Sequence, residues 1–232
     1  MKTLVIIPAY NEQENILNTI DDINRHCPEM DYIVINDCSK DDTEKILREN
    51  RKNYLSLPCN LGIGGGVQTG YRYACENGYD IAIQFDGDGQ HEARYLHDLV
   101  APLEAGAADI AIGSRFIRKE GFQSTGLRRL GIGFLSGMIK LLCGIRVTDV
   151  TSGMRAVNRR FIEEYARSYA QDYPEPEAII AASVRGAKIV EVPVQMRERQ
   201  GGKSSINPVR SVYYMIKVSL ALILAKFSSK ER

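Results

Sequence analysis

Short apolar runs rich in β-branched residues recur along this chain at Leu4 to Ile7, Tyr32 to Ile35, Tyr54 to Leu57, Ile81 to Phe85 and Asp109 to Ile112. Each gap between them is long enough for one helix. This alternation predicts βαβ units and an α/β fold with a mostly parallel sheet flanked by helices, because parallel neighbours need a crossover connection. The 232 residues, 44% hydrophobic and 25% charged, supply one sizeable core and exclude a fibre, a miniprotein or a disordered tail. No internal repeat or low-complexity segment interrupts the rhythm.

The stretches between the runs carry helix signals. Asn11 is expected to cap a first helix, with Glu12 and Glu14 in its opening turn and Ile16, Leu17, Ile20 and Ile23 on one face. Asp41, with Glu44 three residues on, is expected to cap the second. Polar punctuation follows the strands: Pro8-Ala9-Tyr10-Asn11-Glu12, Asn36-Asp37, Asn60-Leu61-Gly62 and Asp86-Gly87-Asp88. All four fall at carboxyl ends of strands, and in an open parallel sheet that rim is where ligands bind.

Charge and cysteine usage narrow the function classes. A net charge of +1 argues against a nucleic-acid binder. From Arg197 onward eight Lys or Arg face two acids, a net +6, so the preceding residues carry −5, and the basic tail is suited to an anionic partner. Cys27, Cys38, Cys59, Cys75 and Cys143 form no CxxC pair and read as reduced thiols of a cytoplasmic protein. The apolar run before Pro8 is far too short for a signal-peptide core.

Asp86-Gly87-Asp88 follows the run Ile81 to Phe85, which reads as a central strand. Carboxylates at i and i+2 can point to one side, and Gly87 lets a ligand approach the backbone. Such a pair suits Mg²⁺ or Mn²⁺, with water and phosphate oxygens completing the shell, and Gln90 and His91 are near enough to help. The same triplet would also make an ordinary polar turn. The glycine-rich stretch from Asn60 to Gly70 matches neither GxGxxG nor the Walker pattern, since Val67 and Tyr71 stand where Gly and Lys are needed. Its glycines serve either a nucleotide's approach or tight helix-sheet packing. Three histidines, no HExxH and no GxSxG leave zinc-protease and triad chemistry without support.

Six motifs stand in a telling order: Pro8-Ala9-Tyr10-Asn11-Glu12, Asn36-Asp37-Cys38-Ser39, Asn60-Leu61-Gly62, Asp86-Gly87-Asp88-Gly89-Gln90-His91, Gly113-Ser114-Arg115 and Thr151-Ser152-Gly153-Met154-Arg155. In this order they resemble glycosyltransferase family 2, and most of all its polyprenyl-phosphate (dolichyl-phosphate) sugar transferase branch. The likeness spans about residues 1 to 200. One departure is Cys38, where the family usually has glycine in Asp-Asp-Gly-Ser.

The resemblance implies a GT-A fold over residues 1–200, followed at 201–232 by a basic loop and a C-terminal amphipathic helix. It implies that Pro8, Ala9, Tyr10, Glu12 and Asp37 hold the donor nucleotide, with Gly87 beside them. Asp86, Asp88 and Gln90 would hold the metal ion on the diphosphate. Arg115 and Lys203 would face phosphate oxygens, for which arginine's fork is suited, with Arg128, Arg129 and Arg155 as further candidates. Asp88, Asp149 and Arg115 are the expected catalytic residues. A hydroxyl acceptor needs a base, for which Asp149, Glu175 and Glu177 are candidates, whereas a lipid phosphate is already ionised.

Asn207 to Phe227 reads as a helix with Val212, Met215, Ile216, Leu220, Ile223 and Phe227 on one face. Its longest uncharged core, Val218 to Ala225, is too short to span a bilayer, which needs about 20 residues. A basic amphipathic helix can instead lie at a membrane surface, and this leaves room for a membrane-embedded partner subunit. The expected protein is thus an inverting, metal-dependent transferase, peripheral at the cytoplasmic membrane face, moving sugar from a nucleotide diphosphate to a polyprenyl phosphate. The alternatives are transfer to a glycan hydroxyl and a nucleotide-sugar-binding subunit without turnover.

Overall fold

The computed structural model describes residues 1–122, 126–197, 217–224 and 226–227. Seven strands form one sheet in the order β3-β2-β1-β4-β6-β5-β7. They are β1 (Thr3–Ala9), β2 (Asp31–Asn36), β3 (Tyr54–Ser56), β4 (Ile81–Gln84), β5 (Ile110–Ser114), β6 (Arg155–Asn158) and β7 (Ile189–Pro193). The expected α/β architecture is present. β1 pairs parallel with β2 and β4, β2 with β3, and β5 with β7.

β6 is the exception, running antiparallel to both β4 and β5. The apolar-run criterion passes over it because it is four residues long and has Arg155 and Asn158 at its ends. Its reversal has a topological consequence. The chain leaves β5 and re-enters at β6 on the same rim of the sheet, the rim where β4 also ends.

Strands buried on both faces alternate their side chains between two cores. Leu4 and Ile6 of β1 join one cluster, and Val5 and Ile7 join the other. The first cluster is covered by α3 (Gly62–Glu76), α5 (Gly126–Cys143), α6 (Arg159–Arg167) and α7 (Pro174–Val184). α1 (Ile16–His26), α2 (Thr43–Glu49) and α4 (Leu96–Glu104) cover the second. Ile16, Ile20 and Ile23 are buried as their helical spacing predicts.

The two expected caps differ from what is found. α1 starts only at Ile16, and Asn11 sits five residues earlier in a left-handed conformation (φ 57°), accepting from the Lys40 N–H. A turn intervenes because the Glu12 carbonyl collects the Asn15 and Ile16 N–H groups. The residue preceding α2 is Asp42, while Asp41 accepts from the backbone and hydroxyl of Thr43.

The glycine-rich stretch is the first half of α3, and here packing governs two positions. A side chain at Gly70 would strike Ile6, and one at Gly64 would strike the backbone of Ala170 and Gln171. These glycines let α3 lie against β1 and the segment following α6.

Among the described residues no helix is long and apolar enough to cross a membrane. In the C-terminal segment, residues 217–224 are helical, with Val218 and Leu222 buried in the first cluster. Leu220, Ile223 and Phe227 of the expected apolar face are exposed together. Val212, Met215 and Ile216 lie outside the described residues.

Candidate active site

The carboxyl ends of β1, β2 and β4 open into a cleft of about 480 Å³. Its walls bring together Pro8, Ala9, Tyr10, Glu12, Asp37, Asp86, Gly87 and Asp88, all expected from the sequence. Asn60, Gly62, Ile63 and Gly66 complete the lining. The Asn60-Leu61-Gly62 motif signalled part of that wall, but periodicity alone could not tell that one turn of α3 faces the cleft.

Asp37 ties three loops together at the base of this cleft. Its backbone N–H donates to the Ala9 carbonyl (2.9 Å), and its carboxylate accepts from the Leu61 N–H (2.7 Å). Glu12 is buried and accepts from Asn15 Nδ2 at 3.1 Å. Tyr10 is exposed and offers a flat ring at the rim, a surface on which a base can stack.

Cys38, next to Asp37, has φ 56°. A side chain in this left-handed region costs roughly 1–2 kcal/mol, a penalty glycine avoids. The departure from the family's glycine is therefore tolerated at a cost in stability. Cys38→Gly is expected to raise the urea midpoint by the equivalent of about 0.5–1 kcal/mol, the strain relieved less the added chain entropy of glycine. An unchanged or lower midpoint would count against strain at this turn.

Asp86 and Asp88 flank Gly87, whose missing side chain leaves the turn against the Pro8 carbonyl; a Cβ there would come within 3.1 Å of that oxygen. Gln84 Nε2 donates to Asp86 Oδ1 at 3.3 Å, and the Gln90 N–H donates to Asp88 Oδ1 at 3.1 Å. Buried His91 braces the turn from behind, its Nδ1 accepting the Asp86 N–H at 3.1 Å. The neutral ring then carries its proton on Nε2, which lies 3.9 Å from Asp86 Oδ2. A side chain at Gly153 would run into the Asp86 carboxylate, so the turn before β6 closes this end of the cleft.

Several expected site residues have other partners. Gln90 directs its side-chain amide to the Arg197 carbonyl (3.4 Å), and so steadies Asp88 through its backbone while its side chain turns to the 195–197 segment. Arg115 does not face the cleft lining. Its Nε and Nη2 donate to Oδ2 and Oδ1 of Asp149, both at 2.7 Å, and its backbone N–H adds a third bond at 3.1 Å. Both side chains of this pair are buried. Asp149 therefore has both oxygens occupied and is not placed as a base. Glu191 of β7 holds the same turn, accepting from the N–H groups of Thr148 and Asp149 at 2.9 Å each. No sequence signal pointed to Glu191, which lies inside an apolar run.

Arg155 is also fully buried, donating to the Ser152 carbonyl (Nη2, 2.7 Å) and the Glu175 carbonyl (Nη1, 3.0 Å). It fastens the start of α7 to the turn before β6. This brings Glu175 close to Gln84, which donates to it at 3.4 Å. Burial pushes the Glu175 carboxyl above its usual range, Arg155 opposes that rise, and Asp86 adds to it. Burial also raises Glu177, with Asp172 contributing. Arg128 and Arg129 are exposed on α5, and Lys203 lies outside the described residues.

A second donor group, Cys27, Glu29 and His97, lies between α1 and α4. His97 Nδ1 faces Cys27 Sγ (3.6 Å) while Nε2 faces Glu29 (2.8 Å), so the donors address opposite ring nitrogens. Burial pushes the Cys27 thiol up to about 12. This is a hydrogen-bonded brace between two helices.

A cleft over the carboxyl ends of a mostly parallel sheet is where such sheets bind ligands, and the architecture is of the GT-A class. The sequence model of Glycosyl transferase family 2 matches residues 4–166, and the chain belongs to that family and is a glycosyltransferase. It is 29% identical over 228 residues to the polyprenol monophosphomannose synthase of Mycolicibacterium smegmatis, covering 94% of this chain and 86% of that protein. It is 31% identical over 211 residues to a UDP-N-acetylglucosamine–dolichyl-phosphate N-acetylglucosaminyltransferase of Methanococcus voltae, covering 82% of this chain and 84% of that one. Among solved structures, glucosyl-3-phosphoglycerate synthase of Mycobacterium tuberculosis with Mn²⁺ and UDP-glucose superposes with a TM-score of 0.71. That match covers 97% of this chain and 78% of the other at 19% identity, a likeness of fold.

Proposed function

We propose that this enzyme transfers a sugar, with inversion, from a nucleotide diphosphate donor to a polyprenyl phosphate at the cytoplasmic face of a membrane. The observation that carries the reading is the convergence of Asp86 and Asp88 on one cleft with Tyr10, Glu12 and Asp37. Relatives named for polyprenol and dolichyl-phosphate substrates support it.

The donor base would lie against Tyr10, with Asp37 and Glu12 reaching its polar edge and ribose. The diphosphate would lie toward Asp86 and Asp88. These carboxylates are hard oxygen donors at the cleft surface, and so fit Mg²⁺ or Mn²⁺. When bound, such an ion supplies positive charge where the leaving diphosphate becomes more anionic. Gln84, His91 and Gln90 hold the two carboxylates in place. Lys203 is proposed as a further cation for the phosphates. Arg115 and Asp149 are proposed as positioning residues, keeping the turn that reaches Gly153 at the cleft's end.

The acceptor assignment rests on the relatives named for polyprenol and dolichyl-phosphate substrates. A hydroxyl nucleophile must lose a proton, whereas a lipid phosphate attacks already ionised. The buried ion pair with Arg115 engages Asp149, which leaves Glu175 and Glu177 as the carboxylates on which a hydroxyl acceptor would depend.

The test is a thermal-shift screen of UDP-, GDP- and dTDP-sugars with and without Mn²⁺ or Mg²⁺, followed by transfer of labelled sugar to a polyprenyl phosphate. One nucleotide is expected to raise Tm only with a divalent cation, because a ligand that binds the folded state stabilises it by mass action. Equal shifts with and without the cation, or transfer only to a sugar hydroxyl, would overturn the reading.

A further inference from the structure

Two cysteines stand on the adjoining loops that build one wall of the cleft. Cys38 follows Asp37 and Cys59 precedes Asn60, and both Asp37 and Asn60 line the cleft. The loops are tied together there. Asn60 Nδ2 donates to the Asp37 carbonyl at 3.1 Å, and the Leu61 N–H donates to the Asp37 carboxylate at 2.7 Å.

Sheet pairing brings the two cysteines together. β2 and β3 run parallel with Asn36 opposite Ser56, and the Leu57 N–H continues the ladder to the Asn36 carbonyl at 2.9 Å. Further along both chains, Cys38 Sγ lies 3.9 Å from the Pro58 carbonyl oxygen. One planar peptide joins that carbonyl to the Cys59 Cα, which is about 3 Å from the oxygen. The Cys38 sulfur is therefore at most about 7 Å from the Cys59 Cα. Disulfides join Cα atoms about 4.4–6.8 Å apart, so rotation of the Cys59 side chain and a small loop shift suffice to close a bridge.

The remaining thiols are placed differently. Cys27 is buried in the second apolar cluster, and Cys75 and Cys143 pack against the first. Burial pushes the Cys27 thiol up to about 12, and a thiol held neutral is a poor nucleophile. Cys59 is exposed and Cys38 partly so, which leaves both open to a small oxidant. Cys38 also sits at φ 56°, and leaving that strained conformation offsets part of the cost of moving its loop.

We propose that Cys38 and Cys59 form a reversible modification site, at which hydrogen peroxide joins them in a disulfide that displaces the Asp37–Asn60 wall and weakens donor binding. The effect on the donor rests on the proposed function; the bridge itself does not. One thiolate attacks the peroxide O–O bond and becomes a sulfenic acid, and the released hydroxide takes up a proton to leave as water. The second thiol then displaces the sulfenic hydroxyl as another water, forming the S–S bond. The two sulfurs give up two electrons and the peroxide accepts them. An added dithiol restores both thiols by exchange. Bonded sulfurs lie about 2 Å apart, so closure must swing the Pro58–Cys59 peptide away from its place beside the Cys38 thiol. Asn60 follows directly in the chain, and its bond to the Asp37 carbonyl is strained by that movement.

The test treats the full chain with hydrogen peroxide, maps the cross-linked peptides by mass spectrometry, and repeats the treatment on Cys59→Ser and Cys38→Gly. Donor binding is read with the UDP-, GDP- or dTDP-sugar that raises the Tm of the reduced protein. A Cys38–Cys59 bridge is expected, with donor Kd raised roughly tenfold, the equivalent of one hydrogen bond lost. Dithiothreitol should reverse both changes, and neither variant should lose affinity on treatment. No bridge, a sulfinic acid in its place, cross-links to other cysteines or between chains, or a bridged protein with unchanged Kd would each overturn the proposal. So would an equal loss of affinity in peroxide-treated Cys59→Ser. If the bridge forms reversibly but no nucleotide sugar binds the reduced protein, the modification site stands and the donor assignment falls.

Discussion

Asp86→Ala and Asp88→Ala are each expected to lower sugar transfer by roughly a thousandfold, the loss seen when a preorganised electrostatic contact to developing charge is removed. The fold should survive, because Asp86 lies at the cleft surface, a third exposed at its side chain, and no core packing depends on it. Asp86→Ala also relieves repulsion of Glu175, whose carboxyl Asp86 pushes up. Two measurements separate chemistry from folding. The cation-dependent part of the donor's Tm shift should vanish in both variants, and the urea midpoint without ligand should move by less than about 1 kcal/mol equivalent. Wild-type transfer rates in either variant would show that the two carboxylates do not serve the diphosphate.

The Arg115–Asp149 pair predicts the opposite pattern, a large loss of stability. Removing one member of a buried ion pair leaves a charge without its partner and costs about 3–5 kcal/mol. Asp149 is fully buried, and its oxygens accept three bonds from Arg115. Asp149→Ala should lower Tm by about 6–20 °C, given roughly 2–4 °C per kcal/mol for a chain of this size. Arg115→Met/Asp149→Leu should recover much of that loss, because a well-packed apolar pair often replaces a buried ion pair without penalty. A base at position 149 would instead leave Tm nearly unchanged while kcat collapsed, so Asp149→Asn read by both assays decides between the roles.

Much of the site was legible in the sequence because polar turns at carboxyl strand ends are local signals. Asp37, Asp86 and Asp88 announced themselves by following apolar runs, and the sheet's rim brings those ends together whatever the detail of the helices. The parts of arginines could not be read that way. Arg115, Arg155 and Arg129 have the same side chain and the same motif-level plausibility. They end respectively in a buried ion pair, in a backbone clamp on Ser152 and Glu175, and on the surface of α5. A guanidinium takes whichever acceptor the fold brings within about 3 Å, and that acceptor is 34 residues away for Arg115 and 20 away for one arm of Arg155. Cys38 shows the converse. Its departure from glycine was visible in the sequence, but the left-handed backbone that gives the departure a cost was not.

From its sequence alone, this chain was determined to be α/β, with acids at the ends of buried strands and helices whose apolar faces follow the 3.6-residue period. These properties depend on neighbours within a few residues, through backbone hydrogen bonding and the burial of one face. Tertiary structure alone decided that β6 runs backwards and that Arg115 closes on Asp149. Those outcomes depend on which distant segments meet, and the burial and pairing of charge that settle them exist only once the sheet has been assembled.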